Sequence, residues 1–131
     1  MMIMKQNIQT IENFFKYVKM NDYYSIMKLF SRDAIVYEPF SKENGISGME
    51  NLISFFKIMC RASGDLNQDL DYQNVSNNDN NVVVSVISTY TKGDSITARF
   101  TFYFQLNRSN KNNNKENLYN SPINTLNIEF L

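Results

Sequence analysis

The residues best placed to do chemistry in this chain lie in the stretch 34-AIVYEPFSKENGISGMENL-52. It holds one of the two prolines and two of the four glycines, and it sets a carboxylate, Glu38, between a strand-like run and Pro39. The chain has no histidine and a single cysteine, Cys60. That composition excludes Ser-His-Asp and Cys-His pairs, His-ligated zinc, an internal disulfide and CxxC chemistry. No clustered acidic loop suggests an all-carboxylate metal site, so no metal or other cofactor is expected. Any proton transfer must then fall to Glu, Asp, Tyr or Lys. Glu38 is such a base, or a polar anchor for a ligand, or a carboxylate that ends a strand and is solvated or paired with Lys or Arg.

A group like this needs a scaffold, and the composition supplies one. The 131 residues suit one domain, residues 1–131, and the apolar share is 43%, with ten Phe, eight Tyr and seven Met. A chain of this size buries roughly two-thirds of its unfolded surface. Lys+Arg and Asp+Glu cancel at 13 each, which gives no electrostatic argument for a nucleic acid or an anionic membrane as partner. No apolar run approaches the roughly 20 residues of a membrane helix, and MMIMK is too short for a signal-peptide core. The expected setting is reducing and cytoplasmic.

The hydrophobic period then locates the elements. Ile8, Ile11, Phe15 and Val18, widened by Phe14, make one stripe of a first helix. The pattern breaks at 21-ND-22, where Asp22 is a good N-cap for a short second helix with Tyr23, Ile26, Met27 and Phe30 on one face. The spacing predicts a turn at 31-SRD-33 and an extended run at 34-AIVY-37. Gly45 and Gly48 punctuate a loop, and Ser47 with Glu50 has the spacing of a capping box. A third helix follows, with Met49, Leu52, Ile53, Phe56, Met59 and Cys60 on one face, ending near Gly64 as its C-cap. On that face Cys60 reads as a small buried hydrophobe.

After Gly64 the period falls from 3.6 to 2. Strands are expected over 66–75, 82–90, 96–106 and 123–131. The run 82-VVVSVISTY-90 is apolar on both faces near its start and should be central. In 96-ITARFTFYFQL-106, Ala98, Phe100, Phe102, Phe104 and Leu106 share one face. Two Asn-rich patches, 74-NVSNNDNN-81 and 107-NRSNKNNNKENLYN-120, read as loops. Helices followed by an antiparallel meander make an α+β arrangement.

The segments 22-DYYSIMKLFSRDAIVYEP-39 and 45-GISGMENLISFF-56 resemble the nuclear transport factor 2-like superfamily, which includes ketosteroid isomerases and SnoaL-like cyclases. The likeness lies in an acidic helix cap, an "aLF" helix, a D-A turn, a strand ending in an acidic residue and proline, and "sG" opening the third helix. It covers about residues 10–60, and beyond them only the strand order matches. The resemblance implies a cone-shaped, curved, antiparallel (mixed) sheet packed around three N-terminal helices, with a pocket opening into the cone. Its lining here would be Phe14, Tyr17, Phe40, Phe56, Phe100, Phe102 and Phe130, unless these simply fill the core.

The resemblance also implies an activity. In the ketosteroid isomerases the acidic residue before this proline is the general base, which makes Glu38 the candidate in a small-molecule isomerase, cyclase or lyase. The enolate formed needs hydrogen-bond donors, and in ketosteroid isomerase a tyrosine and a protonated aspartic acid supply them. The matching positions here are Phe14 and, at or near it, Phe102, neither of which can donate. Tyr17, three residues from Phe14, is the substitute, with Tyr90 and Tyr103 as further candidates. The late carboxylate of the cyclases has a counterpart in Glu129, but alternation turns it away from Leu126, Ile128 and Phe130. The alternative is a non-catalytic module that binds a small apolar ligand or serves as a dimeric scaffold. The resemblance implies a homodimer through the face bearing Val83, Ser85, Ile87, Arg99, Thr101 and Tyr103, and the two-sided apolar run Val82–Ile87 agrees with it.

Overall fold

The computed structural model describes residues 2–40, 44–63, 66–77, 81–105 and 122–131. Among these residues three helices, α1 (Met2–Lys19), α2 (Tyr23–Met27) and α3 (Met49–Ser63), precede or interrupt a six-stranded sheet. The strands are β1 (Phe30–Tyr37), β2 (Ile46–Ser47), β3 (Asn67–Asn77), β4 (Asn81–Lys92), β5 (Asp94–Gln105) and β6 (Ile123–Phe130), in the order β2-β1-β6-β5-β4-β3. β1 and β6 run parallel and every other pair is antiparallel. The sheet is therefore mixed and mostly antiparallel, and the fold is α+β.

α1 forms on the expected stripe: Ile11, Phe14, Phe15 and Val18 are buried. It stops where Asn21 takes a positive φ of 58°, a left-handed conformation that Asn tolerates. Asp22 then caps α2, its Oδ1 accepting from the Ser25 N–H at 3.2 Å and its Oδ2 from the Ser25 hydroxyl at 2.6 Å. The hydroxyl bond first, and the backbone bond second, hold the Asp22 carboxyl below its usual range. A carboxyl lowered by folding stabilises above its unfolded pKa of about 3.9 and loses that effect as pH falls through the folded value. Asp22→Ala should thus lower the urea midpoint at pH 7, and the difference from the parent should vanish in acid.

Several boundaries differ from the sequence expectations. Phe30 opens β1 instead of closing the second helix. α2 ends at Met27, and the Ile123 N–H donates to the Leu29 carbonyl at 2.9 Å where the parallel pairing begins. Period alone could not separate these outcomes, because Phe30 lies four residues after Ile26 and is buried either way. The expected turn at 31-SRD-33 lies inside β1, where the register against β6 shifts between Phe30 and Ile35. The strand absorbs these polar residues as an irregularity. α3 starts at Met49, so Gly48 holds the cap position expected of Ser47; its carbonyl accepts from Leu52 at 2.9 Å. Met49 is exposed and does not join the buried face. The strands also reach further into the first Asn-rich patch, because Val75, Ser76 and Asn77 pair with Val84, Val83 and Val82. The valine run carries its partner along the ladder. Gly64, Leu106 and the patch at 107–120 lie outside the described residues.

One face of the sheet packs against the helices. Val82, Val84 and Val86 alternate into the core from β4, Ala98, Phe100, Phe102 and Phe104 from β5, and Leu126 and Ile128 from β6. Phe14 sits at the centre, with ring centroids 5.4 Å from Phe102 and 6.0 Å from Phe56. The opposite face carries a cross-strand ion pair, Arg99 Nη1 to Glu129 Oε1 at 2.9 Å. Glu129 thus points away from the core, as alternation required.

Candidate functional site

A cavity of about 440 Å³ opens beyond the C-terminal half of α3. α3 lines it with Phe55, Ile58, Met59 and Ala62. The sheet contributes Tyr90 from β4, Ile96, Ala98 and Phe100 from β5, and Ile128 and Phe130 from β6. The rim is the segment Glu38, Pro39 and Phe40, with Ile46 of β2 beside it.

The rim follows from its local sequence. Pro39 has no N–H to continue the ladder, so β1 ends at Tyr37 and the chain turns out. It returns as β2, pairing Ile46 with Val36 and Ser47 with Ile35. Gly45 makes the return possible: its φ is +68°, and a Cβ there would lie 2.7 Å from Ile35 Cγ2 and 2.9 Å from Tyr37 Cε1. Gly45→Ala should cost roughly 1–3 kcal/mol of stability by crowding and backbone strain, read as a lowered urea midpoint. Within the rim, the Phe40 N–H donates to Glu38 Oε2 at 3.2 Å, bridging over Pro39. Phe40 is 81% exposed and its ring meets Phe130, itself 54% exposed, edge to face at 5.9 Å.

The cavity also has a buried polar group. Tyr90 is 9% exposed, and the Ser88 and Gln68 side chains hydrogen-bond to its phenol. Gln68 Nε2 donates to Ser88 Oγ at 2.8 Å, and Ser88 is fully buried. The cross-strand register that pairs Gln68 with Tyr90 builds this cluster. Burial pushes the Tyr90 phenol up, while the two hydrogen bonds offset part of that shift. The group therefore stays protonated, and a donor, at neutral pH.

The expected site residues divide. Glu38, Phe40, Phe100 and Phe130 surround the cavity. Phe14, Phe56 and Phe102 do not; they are fully buried in the aromatic core, packed ring against ring. Tyr17 is also outside the lining and packs half-buried at the edge of that core. Two hydroxyl residues line the cavity with Glu38: Ser63, whose hydroxyl donates to the Met59 carbonyl at 2.6 Å, and Tyr90. The signal for Tyr90 was present in the alternation, since Ser88 and Tyr90 continue the inward series Val82, Val84, Val86. Cys60 is buried, and burial first, then the Asp22 charge, pushes its thiol up. Among the described residues no group of three His, Cys, Asp or Glu side chains could hold a metal ion, and no helix is long and apolar enough to cross a membrane.

No protein-family model matches the sequence. No curated protein matches it at a significant level. Solved structures do. A nuclear transport factor 2-like protein from Anabaena variabilis aligns with a TM-score of 0.68 at 15% identity, over 99% of this chain and 90% of that one. A ketosteroid isomerase-like protein from Erwinia carotovora atroseptica aligns with a TM-score of 0.67 at 7% identity, over 94% of this chain and 92% of that one. An epoxide hydrolase/cyclase-like enzyme of pyran ring formation in the polyether salinomycin aligns with a TM-score of 0.61 at 14% identity, over 100% and 95%. The helix order, the mixed sheet and these alignments together give the conclusion that the chain has the nuclear transport factor 2-like fold.

Proposed function

We propose that the protein binds a small, largely apolar molecule in the cavity beyond α3 and moves a proton on it, with Glu38 as general base. The observation that carries this reading is one carboxylate, that of Glu38, set on the rim of a largely apolar cavity of about 440 Å³. That volume falls within the range of small-molecule sites. A seated ligand brings its C–H within reach of the carboxylate. A C–H beside a carbonyl loses its proton to Glu38, and the electron pair moves onto the carbonyl oxygen as an enolate. Return of the proton to another carbon makes an isomerase. Attack of the enolate carbon on an electrophilic carbon of the same ligand makes a cyclase, and loss of a β leaving group makes a lyase. Among the similar structures, the ketosteroid isomerase-like protein and the epoxide hydrolase/cyclase-like enzyme support the catalytic reading, whereas two calcium/calmodulin-dependent protein kinase II association domains support a scaffold.

Binding without turnover is the second reading, favoured by the burial of Phe14 and Phe102 where the family resemblance puts hydrogen-bond donors. A cyclic ketone in deuterated buffer separates the two. The catalytic reading expects deuterium to enter beside the carbonyl faster than in buffer alone, followed by NMR. Binding without acceleration selects the second reading, and neither binding nor acceleration overturns both.

A further inference from the structure

We propose that Tyr90, backed by Ser88 and Gln68, is the oxygen-binding group of the cavity, so that the ligand is an apolar molecule carrying a carbonyl oxygen that accepts from the Tyr90 hydroxyl. The inference deepens the function proposed above and rests on the cavity being the ligand site. Three observations carry it. Tyr90 is the phenol of the cavity lining and is held almost wholly out of solvent. Its partners are the buried Ser88 and the half-buried Gln68: Gln68 Nε2 donates to Ser88 Oγ at 2.8 Å, and both side chains hydrogen-bond to the phenol. The Gln68-to-Ser88 bond also leaves a donor free. The serine O–H can donate to the Tyr90 oxygen, and in that arrangement the phenol O–H donates into the cavity. Bonds arranged head to tail in this way polarise one another and strengthen the terminal donor.

The placement differs from that implied by the sequence resemblance, where the donors would sit at Phe14 and Phe102. Those positions are filled by buried rings. The donor has moved to the end of β4, and the aromatic lining leaves the rest of the ligand apolar. A ligand with several hydroxyl groups or a phosphate would leave polar atoms unpaired against Phe55, Ile58, Met59 and Phe100 and is disfavoured.

The test uses two probes of matched shape, methyl naphthyl ketone and isopropylnaphthalene, which exchange a carbonyl oxygen for a methyl group. Affinities are measured by titration calorimetry on the full chain and on Tyr90→Phe. The expected result is a loss of roughly two- to tenfold for the ketone in Tyr90→Phe, the effect of one hydrogen bond, with the hydrocarbon unchanged. The infrared carbonyl stretch of the ketone bound to the unaltered protein should also fall to that of a hydrogen-bonded ketone, a reading that needs no variant. Equal binding of the ketone by parent and variant, or an equal loss for both probes, overturns the Tyr90 assignment. An unshifted stretch in the parent overturns it too. If neither probe binds the parent, the cavity reading fails and the Tyr90 assignment falls with it.

Discussion

Glu38→Gln should slow deuterium exchange into a bound ketone by roughly 10²- to 10⁴-fold, the contribution of a positioned general base. Affinity for the same ketone should change little. The amide keeps the length and shape of the side chain, and its carbonyl oxygen can still accept from the Phe40 N–H, the 3.2 Å bond that turns the rim over Pro39. What it loses is the ability to take a proton from carbon. Glu38→Asp, one methylene shorter, should retain part of the rate because the base is present but withdrawn from the reacting carbon. The division of the effect is the informative part. A lower rate at saturating ketone with unchanged binding assigns Glu38 to proton transfer. Weaker binding at unchanged saturated rate assigns it to anchoring. A variant indistinguishable from the parent in both would remove Glu38 from the site and leave a strand-end carboxylate.

The largest effect on stability should come from Phe14→Ala, at roughly 3–5 kcal/mol. Phe14 is fully buried, and its ring meets those of Phe15, Phe30, Phe56, Phe100 and Phe102 at centroid distances of 5.0 to 6.3 Å. These rings come from α1, β1, α3 and β5, so one truncation loosens both layers at once. Four of the five contacts are edge to face, a geometry that adds to simple area burial. Against a total stability of about 5–15 kcal/mol for a domain, the loss is a large fraction. Guanidinium unfolding followed by circular dichroism measures it, and Phe14→Leu should recover much of it by refilling volume. A Phe14→Ala variant that loses less than about 1 kcal/mol while its ketone affinity collapses would return Phe14 to the ligand site and contradict its place in the core.

Much of this architecture is legible in the residues themselves. The stripe of Ile11, Phe14, Phe15 and Val18, the Asp22 cap, the alternation through Phe100, Phe102 and Phe104, and the outward turn of Glu129 follow from local periods and local hydrogen bonds. Glu38 stands out for the same reason: a carboxylate before a proline at a strand end is a local pattern. Other features depend on residues far apart in the chain. The parallel pairing of β1 with β6 joins Val36 to Leu126, and nothing local to either strand specifies it. That pairing gives β1 its bulged start and takes Phe30 from a helix into a strand.

The division of the aromatic residues shows the limit most directly. Phe100 and Phe102 are two residues apart on one strand and one face, with stacked rings 6.3 Å apart. Phe100 lines the cavity, whereas Phe102 is sealed beneath Phe14. A period of two determines which face a side chain takes, so the sequence alone placed both inward. It carries no information on what waits there. That is decided by where α1 and α3 cross the sheet and how far each strand runs past them, which is set by registers between distant segments. The same long-range register brings Gln68 to Tyr90 and places its phenol, rather than that of Tyr17, in the cavity with Glu38.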